Sequence, residues 1–303
     1  MSARFATAAG PTTPTAFTDP TFMQICRDPL SMHAWSRARH HDGLRIGCVP
    51  TMGALHAGHL ALMDEARRRC DVVVVSIFVN PLQFNRSDDF DKYPRPIDTD
   101  VDACRAAGVD AVYAPTAAAM YPRGFQTHVE PGVLADSLEG ASRPGHFRGV
   151  TTVVAKLFGA MQPDVAVFGQ KDFQQLAIIR QMVLDLDMDI EVIGLPTVRE
   201  PDGLAISSRN QRLGPDERHA AICVVQALRV AVAAFEAGER DAARLVKLAA
   251  DRIEAEPLAR LEYVHVVDPV SLDPVEKVDL PAVIVVAVWF GDVRLIDNLP
   301  LSI

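Results

Sequence analysis

Apolar runs of strand length alternate with segments of helical period along most of the chain. RIGCVP, residues 45–50, has the character of a buried strand, and the following GALHAGHLALMDEARRRC changes to the 3.6-residue period of an amphipathic helix. VVVVSIFVN follows as a second strand, and DVDACRAAG then leads as a helix into VDAVYAP. The rhythm resumes with helical VTTVVAKLFGAM, the buried strand DVAVFG, helical FQQLAIIRQMVLDLDM and the strand DIEVIGLPTV. Strands alternating with helices predict an α/β fold with a doubly wound parallel sheet over residues 22–197, whose ligands bind at the carboxyl ends of the strands.

From residue 198 the texture changes. Two helical stretches, DERHAAICVVQALRVAVAAFEAG and DAARLVKLAADRIEAE, precede strand-like LEYVHVVDP and AVIVVAVWFGDVRLIDNL. Residues 198–303 are therefore expected to form a smaller α+β domain that closes over the first as a lid. WFGDVRL is suited to a Gly-Asp hairpin turn. Residues 1–21, rich in Ala, Thr and Pro, are expected to be a flexible tail, and they contain no apolar run of the length a secretory signal or membrane span needs.

Composition narrows the function. The formal charge of −9 argues against a general nucleic-acid binder, which neutralises phosphates with excess Lys and Arg. An anionic substrate would need a locally positive pocket. The five cysteines are scattered, without metal-binding or disulfide spacing, which fits a reducing cytoplasm.

His56 and His59 stand three apart at the start of the predicted helix, so they share a face with the free N–H groups of its first turn. That end of a helix favours anions, and imidazole donors can follow charge onto phosphate oxygens. Gly58 removes a side chain where a nucleotide ring would press on the backbone, and Gly53 relaxes the preceding turn. A surface histidine pair is the alternative.

VPTMGALHAGH resembles the HIGH-type signature of the nucleotidyltransferase superfamily, and its PTMG flank is similar to the pantothenate synthetase (pantoate–beta-alanine ligase) family. FVNPLQF, YPR, MYP, LEGASRPGHFRGV, FGQKDFQQL and VREPDGLAISSRN follow in that family's order, so the resemblance covers most of residues 22–303. It implies ATP-dependent condensation of pantoate with beta-alanine through pantoyl adenylate, releasing AMP and pyrophosphate.

The resemblance assigns His56, His59 and Lys171 to catalysis on the phosphates. ATP would also meet Met52, Gly53, Gly58, Gly169, Gln170 and Asp172, and further along the chain Val198, Ile206, Ser207, Ser208 and Arg209. AISSRN corresponds to the mobile KMSKS-like loop, with an ordinary Ser-Ser-Arg-Asn turn as the alternative. Asp172 is equally suited to capping a helix. Gln170 stands where the family usually has glutamate. Gln83 and Gln175 would contact pantoate, Gln83 beta-alanine as well, with Arg143 and His146 on a basic loop nearby.

Magnesium is expected with the triphosphate. Asp100 falls where the resemblance puts a metal-associated acid, although a charged helix start explains it equally well. The family is commonly dimeric, so a homodimer is expected, with neither nucleic acid nor membrane as a partner. No Ser–His–Asp order or activated Cys suggests an acyl-enzyme. Another nucleotidyltransferase, an aminoacyl-tRNA synthetase and a noncatalytic ATP-binding protein are the competing readings; acidity and the small C-terminal unit disfavour the synthetase.

Overall fold

The structure, a computed structural model, describes residues 23–85 and 87–302; the expected tail, 1–21, lies outside them. In chain order, β1 (Gln24–Cys26), α1 (Pro29–His41), β2 (Ile46–Thr51), α2 (Ala57–Arg69) and β3 (Val72–Ile77) open the first unit. Then come α3 (Ser87–Lys92), α4 (Ile97–Ala106), β4 (Ala111–Tyr113) and the short helices α5 (Ala117–Met120) and α6 (Glu139–Ser142). The unit ends with α7 (His146–Met161), β5 (Val165–Gly169), α8 (Phe173–Asp185) and β6 (Glu191–Leu195). The second unit comprises α9 (Pro215–Ala220), α10 (Ile222–Glu236), α11 (Ala242–Glu254), β7 (Ala259–Val267), β8 (Ala282–Phe290) and β9 (Val293–Leu301).

The first six strands pair in the order β1-β4-β3-β2-β5-β6, every pairing parallel. From β2 the chain winds outward through β3 and β4 and then crosses to the other side for β5 and β6. The winding direction therefore reverses between β2 and β5, which opens a crevice at their carboxyl ends. Alternate residues of one strand feed two layers: Val72 and Val74 pack with α1 and α7, whereas Val73 and Val75 pack with α2 and α4. This is the doubly wound sheet that the alternating pattern predicts.

β1 and α1 are the elements the apolar pattern does not reveal. β1 is three residues long and forms an edge, and α1 carries polar residues and histidines through most of its length. A local signal does exist: Asp28 accepts hydrogen bonds from the amides of Leu30 and Ser31, and Pro29 occupies the first helical position.

In the second unit, β7, β8 and β9 form an antiparallel sheet, and Gly291 and Asp292 make the two-residue turn between β8 and β9. Gly291 takes a positive φ of 56°, as the first central residue of a type II′ turn does. The single helix expected over 216–238 divides at Ala221 into α9 and α10. Pro215–Glu236 is long and apolar enough to cross a membrane by composition alone, but Val224, Leu228, Ala231 and Phe235 are buried in this unit's core.

β8 is apolar on both faces because both are covered. Ile284, Val286 and Val288 face the core shared with α10 and α11, whereas Val283 and Val285 pack with Leu134, Leu138, Phe173 and Ala177 of the first unit. A polar tie borders that seam. Arg294 donates to Glu139 of α6 at 2.6 Å and to Glu262 of β7 at 2.8 Å, and the Tyr263 hydroxyl donates to Glu139 at 2.8 Å. Arg294 and Glu139 are both largely buried. Replacing Arg294 by leucine leaves two carboxylates without their shared cation, and the folded state should lose about 3–5 kcal/mol in a denaturant titration.

Candidate active site

The crevice above the β2–β5 reversal deepens into a cavity of about 220 Å³. Its floor comes from the strand ends, Thr51 at the end of β2 with Met52 after it, and Phe168 and Gly169 at the end of β5. One wall is the buried helix α7, which presents Val150, Val153, Val154 and Leu157. His56, Gly58 and His59 at the start of α2 face Lys171 and Asp172 at the start of α8, and Val198, Ile206, Ser207, Ser208 and Arg209 close the rim. The expected donors His56, His59, Lys171, Ser207, Ser208 and Arg209 therefore meet at one cavity. A second cavity, of about 310 Å³, lies toward the β7–β9 sheet and shares Arg143, His146, Lys171, Asp172, Gln175, Ser207 and Arg209 with the first.

Burial sets the electrostatics. His59 accepts through Nδ1 from the backbone amide of His56 at 3.3 Å, which leaves its proton on Nε2. Burial, reinforced by His56 and opposed by Asp172, lowers its pKa to about 3, so the ring is a neutral donor. His56 stacks on it, the ring centroids 4.1 Å apart, and its pKa is lowered by burial and then by Lys171. Its Nδ1 is buried without a hydrogen-bond partner among the described residues. A buried ring nitrogen left over in this way on a cavity wall is the kind of exception that a bound ligand accounts for. A Cβ at Gly58 would lie 3.0 Å from the His56 ring, so the glycine makes room for the imidazole.

Asp172 occupies the capping position of α8, yet its side chain makes no capping bond. Its carboxylate opens into the cavity. Desolvation opposes its charge, but Lys171, Arg209, His146 and Arg143 outweigh that effect and hold its carboxyl below the usual range. The protein is acidic overall, yet cations collect here.

Gln83 follows β3 on a turn held by Asn80, whose side chain donates to Gln83 Oε1 at 3.1 Å and to the Gly149 carbonyl at 3.0 Å. The Gln83 amide also donates to Met52 Sδ at 3.0 Å, and both residues line the cavity with Gln175. His146 departs from the expected basic loop. It is buried in the first turn of α7, 2.7 Å from the Gln83 carbonyl through Nδ1 and 3.2 Å from the Arg143 guanidinium through Nε2. Burial and then Arg143 lower its pKa to about 3. The neutral ring thus donates to Gln83, accepts from Arg143 and steers that guanidinium toward the cavity.

Three expected site residues have other positions. Asp100 is buried, and its two oxygens accept from the amides of Ala54 at 2.9 Å and Leu55 at 2.8 Å. It braces the turn before His56, where Ala54 has a positive φ of 51°, and it does not line the cavity. Among the described residues, no group of three or more His, Cys, Asp or Glu is arranged to hold an ion. Gly53 belongs to the same turn and does not line the cavity; its φ is 82°, and a Cβ there would lie 2.7 Å from Asp100. Gln170 also lies off the cavity wall, donating to the Gly194 carbonyl at 3.2 Å.

Two features had no assigned role in the sequence. Tyr93, in the YPR segment, lines the cavity together with Ser208, so the motif marked the position but not the neighbour. The α7 wall had no chemical signal at all, being indistinguishable from ordinary core.

The pantoate-beta-alanine ligase family matches residues 24–300. The pantothenate synthetase of Heliobacterium modesticaldum is 52% identical over 281 residues, covering 93% of this chain and all of that protein. Pantothenate synthetase 1 of Bradyrhizobium diazoefficiens is 54% identical over 259 residues, 85% of this chain and 91% of its own length. Among solved structures, pantothenate synthetase from Thermus thermophilus superposes with a TM-score of 0.88 at 43% identity, over 93% of this chain and 100% of that one. Pantoate-beta-alanine ligase from Francisella tularensis, complexed with beta-gamma ATP and beta-alanine, gives 0.76 at 34% identity, over 92% and 98%.

The neutral histidines fix a pH response. Below about pH 6.5 the unfolded chain protonates both His59 and His146, whereas the folded protein resists down to about 3. The unfolded state then binds more protons, so this contribution is present above pH 6.5 and is lost as the pH falls through that window. Replacing either histidine by glutamine should flatten the slope of unfolding free energy there by about 1.4 kcal/mol per pH unit, read from denaturant titrations at several pH values.

Proposed function

Since the chain belongs to the pantoate-beta-alanine ligase family and is a ligase, we propose that this cavity carries its reaction in two steps. The pantoate carboxylate attacks the α-phosphorus of ATP, forming pantoyl adenylate and expelling pyrophosphate. The free amine of beta-alanine then attacks the acyl carbon, forming the amide and releasing AMP. The observation that carries this reading is the meeting of His56, His59, Lys171, Ser207, Ser208 and Arg209 at one cavity above the sheet's reversal. The Francisella tularensis relative's complex with beta-gamma ATP and beta-alanine supports the choice of substrates.

In this reading His59 donates from Nε2 and Lys171 supplies charge as the leaving phosphates become more negative. Ser207, Ser208 and Arg209 grip the same phosphates from the rim. The geminal methyls of pantoate rest on the α7 wall, while Gln83, Gln175 and Arg143 meet its hydroxyl and carboxylate. Apolar walls exclude water, which protects the mixed anhydride until the amine arrives. Asp172, the carboxylate on the cavity wall, would hold a magnesium ion brought in with ATP, and the ion would supply charge neutralisation for the triphosphate.

Lid closure in this reading belongs to the segment bearing Ser207–Arg209, since the β7–β9 sheet is seated on the first unit by apolar contacts and the Arg294 tie. The enzyme is further proposed to act in the cytoplasm as a homodimer.

Incubation with ATP, magnesium and pantoate, beta-alanine omitted, should accumulate pantoyl adenylate detectable by mass spectrometry; a nucleotide-linked product that persists after beta-alanine is added would refute the reading. His59→Ala should lower pantoate-dependent pyrophosphate release about 10²–10³-fold, the cost of one preorganised donor. Near-normal release by that variant would remove His59 from phosphate. Lys171→Ala should slow the same step, and an effect confined to amine capture would contradict its assigned role.

A further inference from the structure

Lys171 reaches the cavity from a turn between β5 and α8, and the backbone of that turn is held by the other domain. Asn298 on β9 donates through Nδ2 to the Gln170 carbonyl at 2.9 Å and to the Lys171 carbonyl at 3.1 Å. Both acceptors belong to the peptide units around the cation, and the Asn298 side chain is buried. Its neighbour Asp297, also buried, pairs with Arg199 through two hydrogen bonds of 2.6 and 2.9 Å and accepts the Asn298 amide at 2.8 Å.

Arg199 stands at the root of the segment that carries Ser207–Arg209. It donates to the Gly203 carbonyl at 3.1 Å, and its backbone bridges to Ala205, two residues before Ser207. One dipeptide of β9 therefore grips both cationic segments of the cavity, the Lys171 turn through Asn298 and the Ser-Ser-Arg segment through Asp297 and Arg199.

We propose that Asn298 is a positioning residue for adenylation, fixing Lys171 against the Ser207–Arg209 segment, with Asp297 and Arg199 completing the clamp. The inference rests on the adenylating reading of the cavity. A bidentate ion pair and two amide-to-carbonyl bonds on one rigid strand set the spacing between two donor groups that a loop alone would leave variable. Asn298 touches no substrate in this scheme; it acts through Lys171.

The test is pantoate-dependent exchange of pyrophosphate into ATP, measured for the full chain and for Asn298→Ala, Lys171→Ala and the double variant. Asn298→Ala should lower exchange about 10–100-fold and raise the KM for ATP, with the KM for beta-alanine, measured in the complete reaction, within twofold of the parent. The double variant should be no slower than Lys171→Ala alone, because the asparagine's effect passes through the lysine. Multiplying losses would assign Asn298 to general stability and overturn the proposal. Full exchange by Asn298→Ala alongside lost exchange in Lys171→Ala overturns it too, full exchange in both removes Lys171 from the step and the proposal with it, and a parent chain without pantoate-dependent exchange refutes the adenylating reading beneath it. Asn298→Ser, a smaller polar replacement too short to span both carbonyls, should give the same pattern, and so supplies the comparison if the alanine variant does not fold.

Discussion

The docking of β8 through its second apolar face joins two otherwise separate halves of the site. A sheet covered only by its own helices would have shown polar residues where Val283 and Val285 stand, and it would have no reason to rest on Phe173 and Ala177. Because it does rest there, β9 lies beside the start of α8, within reach of Gln170 and Lys171. The cavity thus depends on hydrophobic burial at a seam some distance from its polar lining. The buried Arg294 network adds direction to that contact, since apolar surfaces alone fix proximity better than register.

The electrostatic character of the site is local and owes little to net charge. The chain is acidic overall, but Lys171, Arg143 and Arg209 surround Asp172 strongly enough to keep it ionised despite desolvation. The imidazoles contribute no net charge near neutral pH. Burial makes each a donor whose orientation is set by its other nitrogen, His59 by a backbone amide and His146 by the Arg143 guanidinium. Fixed dipoles of this kind need little rearrangement when charge moves between phosphate oxygens.

The sheet was legible in the sequence because strands buried on both faces leave long Val- and Ile-rich runs and amphipathic helices separate them. β1 and α1 left a weaker trace, a three-residue edge and a helix without a clean apolar stripe. Most of the site was legible through motif spacing, which brought His56, His59, Lys171 and the Ser207–Arg209 segment to one cavity. Motif position did not distinguish a residue that faces a ligand from one that holds the loop facing it. Gly53 and Asp100 support the turn before His56, and Gln170 binds the neighbouring strand. His146 reads as a solvated basic residue until the helix start is known to lie at Gly145, whose left-handed conformation turns the chain inward. Asn298 carried no chemical signal, since its significance lies in two carbonyls more than a hundred residues away.

The partnerless Nδ1 of His56 has a consequence for the molecule as a whole. A desolvated ring nitrogen without a partner among the described residues costs the folded chain free energy, and an occupant of the cavity that hydrogen-bonds it would offset that cost only when the chain is folded. Occupancy and resistance to heat then become two measures of one equilibrium, so the melting temperature should climb with the concentration of whatever fills the cavity.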